Sequence, residues 1–190
     1  VVRVRTTTVG EGMQVMVYVP DQPDLFARLC GYFTRLGYSI YDAKIHTTLH
    51  QYALDSFVLF DPLDQLPYRD MIALIEHDLV ELLKHPPPLE APPRGRLSRQ
   101  VKNFPFQPQV EMRADERGSR YLMSITAADR PGLLFEVART LSQHGIAVQT
   151  AKIATLGERV EDSFLIAGEE LAKTSTLVRL EQELLEALRT

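Results

Sequence analysis

Hydrophobic positions in this chain alternate at first, then recur every three or four residues, and the whole pattern occurs twice. Val2, Val4 and Thr6 share one side of an extended segment, with Arg3 and Arg5 on the other; after the turn VGEG, Val15, Val17 and Val19 alternate again. Period two predicts half-exposed strands, and two such runs around a glycine turn predict a β-hairpin. The period then changes. Phe26, Leu29, Cys30 and Phe33 stand at i, i+3, i+4 and i+7, the stripe of an amphipathic helix. Pro23 suits its first turn, and Gly37 suits its C′ position, where φ is usually positive. Two more strands, YSIYDAKIHTT and LDSFVLF, lead to a second helix with Met71, Ile72, Ile75, Leu79, Leu82 and Leu83 along its stripe.

The same order then returns. QVEMRAD, the turn ERGS and RYLMSITA predict a second hairpin; Leu134, Val137, Ala138 and Leu141 mark a helix; AVQTAKIAT and EDSFLIA are strands; Leu177, Leu180, Leu184 and Leu188 mark the closing helix. A constant offset of 108 residues pairs Asp21 with Asp129, Pro23 with Pro131, Gly37 with Gly145 and Lys44 with Lys152. One residue is lost in a loop, after which Asp55-Ser56-Phe57 answers to Asp162-Ser163-Phe164, with each Phe expected in the core. A repeat of this length implies two copies of one small domain. Each reads β-β-α-β-β-α, a ferredoxin-like unit with its last strand moved to the front. The expected fold is α+β: two four-stranded antiparallel sheets, each with two helices on one face, and in each the first strand pairing only with the second, at the edge.

The expected domains are residues 1–85 and 109–190, joined by a linker over 86–108. Its prolines forbid a continuous helix or a central strand. Arg94, Arg96, Arg99 and Lys102 make it the one basic stretch, either a solvated connection over acidic domains or a docking strip for an acidic partner.

Composition narrows the function. Of 190 residues 45% are hydrophobic and 24% charged, as in a globular protein. A net charge of −4 argues against nucleic acid as a partner. The lone Cys30 forms no intramolecular disulfide, suits core packing and fits a reducing, cytoplasmic setting. No apolar run approaches the ~18 residues of a membrane span, and the N-terminus reads as a strand and turn rather than a signal peptide. The absence of an initiator Met predicts a piece of a longer chain. Catalytic sets are missing: there is no phosphate-cradling turn with paired aspartates for Mg²⁺, and His77-Asp78 sits in a helix with only His46, His50 and His85 as scattered companions. The fragment is therefore expected to be non-catalytic, with no cofactor or metal of its own.

Chemistry concentrates at the second strand-to-helix turn, Asp129-Arg130-Pro131-Gly132-Leu133-Leu134. Unpaired amides and the positive end of a helix dipole meet there and suit a carboxylate or phosphate. Gly132 permits close approach to the backbone, and Asp129 offers either a charge for an ammonium or a helix cap. In the first repeat Asp24 replaces this glycine, which puts that turn in doubt as a carboxylate cradle.

D-R-P-G-L-L on a strand-to-helix turn, followed by H-G-I and an alternating strand, resembles the ACT domain, a small regulatory module that is often paired and binds amino acids at domain interfaces. The resemblance covers both repeats. DQPDLFARL, YDAKIHTT and AKIATLGERVEDSF together are similar to the C-terminal regulatory end of bifunctional PII-protein uridylyltransferases/uridylyl-removing enzymes. That likeness implies L-glutamine as an allosteric ligand, catalytic domains elsewhere that use Mg²⁺, PII protein as the partner they modify, and a role in nitrogen metabolism. The implied site joins Asp129, Arg130, Pro131, Gly132, Leu133 and Leu134 to a neighbouring unit's third strand, Tyr41, Asp42 and Ala43 or Gln149, Thr150 and Ala151. A homodimer through the sheets is a further expectation. Two readings remain beside it: a free-standing double-ACT regulator similar to the glycine-cleavage repressor, and an RNA-binding ferredoxin-like domain, for which the aromatic K/R-G-F/Y strand is missing.

Overall fold

In the computed structural model, residues 1–7, 12–60, 68–93, 107–116, 120–156 and 159–189 are described. The period-two segments are strands: β1 (Val2–Thr6), β2 (Met13–Pro20), β3 (Ser39–His46), β4 (Tyr52–Phe60), β5 (Gln109–Ala114), β6 (Arg120–Ala128), β7 (Ala147–Leu156) and β8 (Arg159–Ala167). The amphipathic stripes are helices: α1 (Leu25–Arg35), α2 (Tyr68–Lys84), α3 (Leu133–Gln143) and α4 (Thr174–Leu188), the last preceded by a 3-10 turn at Glu169–Ala172. Most of the VGEG and ERGS turns, and Arg94, Arg96, Arg99 and Lys102, lie outside the described residues.

Each repeat folds as the permuted ferredoxin-like unit, with β1 and β5 paired to β2 and β6 at the two outer edges. The units do not keep separate sheets. Strand order β1-β2-β4-β3-β7-β8-β6-β5 makes one antiparallel sheet of eight strands, joined where β3 meets β7. Lys44 pairs with Lys152 at the centre of that junction, and Asp42–Ala154 and His46–Thr150 lie symmetrically about it. The chain therefore carries an approximate twofold axis between equivalent lysines. Edge strands of two small sheets have satisfied each other's backbone groups, which each would otherwise expose.

The helices cover one face. Phe33, Phe57, Phe135 and Phe164 are fully buried beneath them, and Phe26 meets Phe164 edge-on across the repeats, with ring centres 6.4 Å apart. Helices α1 and α3 lie side by side over the junction. Gly31 makes their approach possible, because a Cβ there would stand 2.9 Å from the Phe135 ring. Cys30 is buried in this core, and burial pushes its thiol pKa well up, as packing rather than reactivity requires.

The first part of the linker is held against the protein. Arg28 Nη1 donates to the carbonyl of Pro87, Arg35 Nη1 donates to the carbonyl of Glu90 at 3.3 Å, Leu89 packs on the core and Pro92 is buried. It crosses α1 toward the start of α3.

Candidate functional site

The two strand-to-helix turns share one backbone. Leu25 N–H donates to the Gln22 carbonyl at 3.3 Å, and Leu133 N–H to the Arg130 carbonyl at 3.2 Å. Proline takes the second place in each turn and a positive φ the third, 61° at Asp24 and 84° at Gly132, the pattern of a type II turn. The helices begin after these turns, so Pro23 and Pro131 stand outside the first helical turn, where the sequence pattern had put them. Asp129 does not cap α3, which has no side-chain cap; its carboxylate takes the backbone amide of Arg130 instead. By their position, the amides of Phe26 and Ala27, and of Leu134 and Phe135, have no partner within their helices.

Each turn opens on a cleft whose far wall belongs to the other repeat. The first cleft has a volume of about 400 Å³. Asp21, Asp24 and Phe26 form one side, Ile45, Thr47, Gln51 and Asp55 its floor, and Ser142 with residues 145–148 the far wall. Asp24 crosses this gap, its carboxylate accepting a hydrogen bond from Ser142 Oγ. The second cleft is the symmetry counterpart, built from residues 129–134 with Thr34 and residues 38–40, and it holds about 30 Å³, space for a water or two. Pro92 is part of the reason: a Cβ on Gly132 would meet Pro92 Cγ at 3.9 Å and Thr34 Cγ2 at 3.8 Å, so the linker stands over this turn. Arg130, itself buried, ties the turn to the end of α4 through the Ala187 carbonyl at 2.5 Å.

Asp129, Arg130, Pro131, Gly132, Leu133 and Leu134 all line the second cleft. The third-strand residues implied by the resemblance line neither. Ala43 and Ala151 are buried under the helices, and Tyr41 is 58% exposed. Ser39 and Ile40 face the second cleft and Ala147 and Val148 the first. The cause is a bulge at the same place in both repeats: register slips between Ile40 and Asp42 and between Val148 and Thr150. One extra residue re-aims the strand, so the cleft walls are formed by the residues just before each bulge and not by those just after it.

Two residues escaped the sequence reading. Asp55 and Asp162 are each 1% exposed, at the base of the first and second clefts respectively. Asp55 Oδ1 accepts the His46 amide at 3.4 Å; Asp162 Oδ1 accepts the Ala154 amide at 3.2 Å, and its Oδ2 has no partner among the described residues. Burial pushes both carboxyls up to about 7, against the pull of those amides, and Asp21 and Asp129 nearby push the same way. Burial also raises Asp129. The signal was present in D-S-F: period two puts Asp55 on the same face as Phe57, and Asp162 on that of Phe164, so a core-facing acid occurs in both repeats.

Among the described residues no group of three His, Cys, Asp or Glu is arranged to hold a metal ion. Asp78, beside His77, accepts the Tyr32 hydroxyl at 3.5 Å. No helix among the described residues is long and apolar enough to cross a membrane.

Residues 121–176 match the ACT domain family. Over 99% of its length the chain is similar to bifunctional uridylyltransferase/uridylyl-removing enzymes: 57% identical over 188 residues to that of Aromatoleum aromaticum, 56% over 193 to that of Ralstonia nicotianae, and 48% over 188 to that of Burkholderia vietnamiensis. The chain spans 22% of the length of these curated relatives.

Proposed function

We propose that this chain, a pair of ACT-type units shared along its length with uridylyltransferase/uridylyl-removing enzymes, is the part of such an enzyme that senses L-glutamine. Binding would set whether catalytic domains elsewhere modify PII protein or reverse the modification, which places the chain in cytoplasmic nitrogen control. The observation that carries this reading is the pair of clefts shared between repeats, each facing the amides that open a helix. A ligand in such a cleft touches both units and acts on their junction, the kind of differential contact that coupling between sites requires.

The first cleft has room for an amino acid and is the occupied site in this reading. The second, with Asp129 and Gly132, is a weaker counterpart that accepts ligand only when Pro92 withdraws. The units are 1–85 and 109–190, with 86–108 between them. The open face of the sheet, where Tyr18 and Tyr52 stack at 5.1 Å, is the surface on which a second copy would pair.

Calorimetry with L-glutamine tests the reading directly. At a concentration ~100 times the dissociation constant, binding to the folded state adds about 2.7 kcal/mol, a rise in melting temperature of roughly 5–10 °C. With PII protein, UTP and Mg²⁺ the chain is expected to leave PII unmodified, and pre-modified PII to keep its label. No heat and no thermal shift with glutamine would sink the proposal.

A further inference from the structure

The first cleft is lined by acids and by no base. Asp21 stands at its rim, Asp24 on the turn with its carboxylate engaged by Ser142, and Asp55 at the floor; no Lys, Arg or His occurs among the described residues that line it. The positive pole of the cleft is backbone, the first amides of α1 at Phe26 and Ala27. An α-amino acid fits this distribution in one sense: carboxylate toward the amides, ammonium toward Asp21. The side-chain terminus then faces Asp55.

Resting on the amino-acid-sensing reading, we propose that Asp55 is the specificity-determining residue of this cleft, accepting an N–H from an uncharged carboxamide and refusing a carboxylate in the same place. The two termini have nearly the same size, so shape cannot separate them. Charge and donor pattern can. A carboxamide brings two donors to a buried acceptor, whereas a carboxylate brings only acceptors and a second negative charge into a site where no described residue supplies a cation. Among the described residues the Asp55 oxygens accept one hydrogen bond, the long one from the His46 amide. A site built to receive a hydrogen bond discriminates far more strongly than an apolar pocket, because the wrong ligand leaves a buried polar group unpaired.

The test is calorimetry with L-glutamine and L-glutamate on the wild-type protein, Asp55→Asn and Asp55→Ser, with folding checked by circular dichroism. The wild type should bind glutamine at least ~10-fold more tightly than glutamate. Both variants should shrink that ratio to less than about threefold, Asn because its NH₂ donates to a carboxylate and Ser because the repulsion is gone. The wild type carries the test even where a variant fails to fold. The groups facing Asp55 are Asp21 from the turn and Cys30 from α1, with Asp24 across the cleft, and burial holds the Asp55 carboxyl near 7. The ratio should therefore be smaller at pH 5.5, where Asp55 is protonated, than at pH 8. A ratio unchanged by substitution or by pH, or a wild type that does not discriminate, overturns the assignment of Asp55. Failure of the wild type to bind either amino acid overturns instead the sensing reading beneath it.

Discussion

At the first turn a carboxylate sits in the left-handed region, and at the second a glycine does, within the same hydrogen-bonded bend. Around Asp24 the cleft stays open at about 400 Å³, spanned by the bond to Ser142; around Gly132 it closes to about 30 Å³ beneath Pro92. Glycine alone suggests the better cradle, because backbone amides lie bare beside it. Yet the space that glycine leaves is available to whatever lies nearest, and in this fold that is the chain's own linker, carried there by Arg28 and Arg35 across α1. Duplication of the turn therefore does not duplicate the cleft beside it once the connection between the copies packs on one of them.

The buried acids give the largest test of that contrast. Each has a folded-state pKa of about 7 against an unfolded value of about 3.9. The folded state thus holds a proton that the unfolded chain loses. The stability this gives is complete below pH ~4 and is lost as pH rises through ~7, by a few kcal/mol per group in order of magnitude. Asp162→Asn should raise stability at pH 8 by about 2–4 kcal/mol, roughly 5–10 °C, and hardly change it at pH 4. Asp55→Asn should gain less, because Asp55 faces an open cleft whereas Asp162 Oδ2 is buried with no partner among the described residues. Thermal melts across pH 4–8 check this, and equal gains in the two variants would mean that the clefts are equally wet.

Gly132→Asp copies the first turn into the second and should cost about 1–3 kcal/mol. The positive φ strains a side chain by part of that amount. The rest comes from placing a carboxylate under Pro92 beside Asp129 and Asp162 with no counterpart of Ser142 to donate to it, since Thr34 holds that place and its hydroxyl already donates to the Cys30 carbonyl at 2.9 Å. Urea melts give the cost. With ligand held in the first cleft, glutamine affinity should change less than threefold, and its loss would move the site to the second turn.

Much of this was legible in the residues. Period two and period 3.6 placed the strands and the helix stripes, and the offset of 108 residues foretold two equal units with β1 and β5 at the edges. The union of the two sheets was not legible, because an edge strand such as YDAKI looks the same whether it faces solvent, a second chain or its own copy. Nor were the bulges at Tyr41 and Gln149, for no Gly marks them, and they decide which strand residues face the clefts. The acids at 55 and 162 were legible in the alternation of D-S-F, where a charge on a core face calls for a function or a proton.

Asp24→Gly is the reciprocal exchange and should have the smallest effect. Asp24 has φ 61° and ψ 11°, a conformation that costs an L-residue about 1 kcal/mol relative to glycine. Against that gain stands the bond from Ser142 Oγ, worth about 1.5–3 kcal/mol in gross terms when the acceptor is charged, but less beside an open, wet cleft. The two nearly cancel, and the melting temperature should move by no more than about 3 °C in either direction. Ser142→Ala removes the bond and keeps the strain, so it should lower stability by about 1 kcal/mol, and the double variant should be no less stable than Asp24→Gly alone. Additive effects in this cycle would show that Asp24 and Ser142 do not meet across the cleft in solution, and that the space between the repeats is held open by the helices alone.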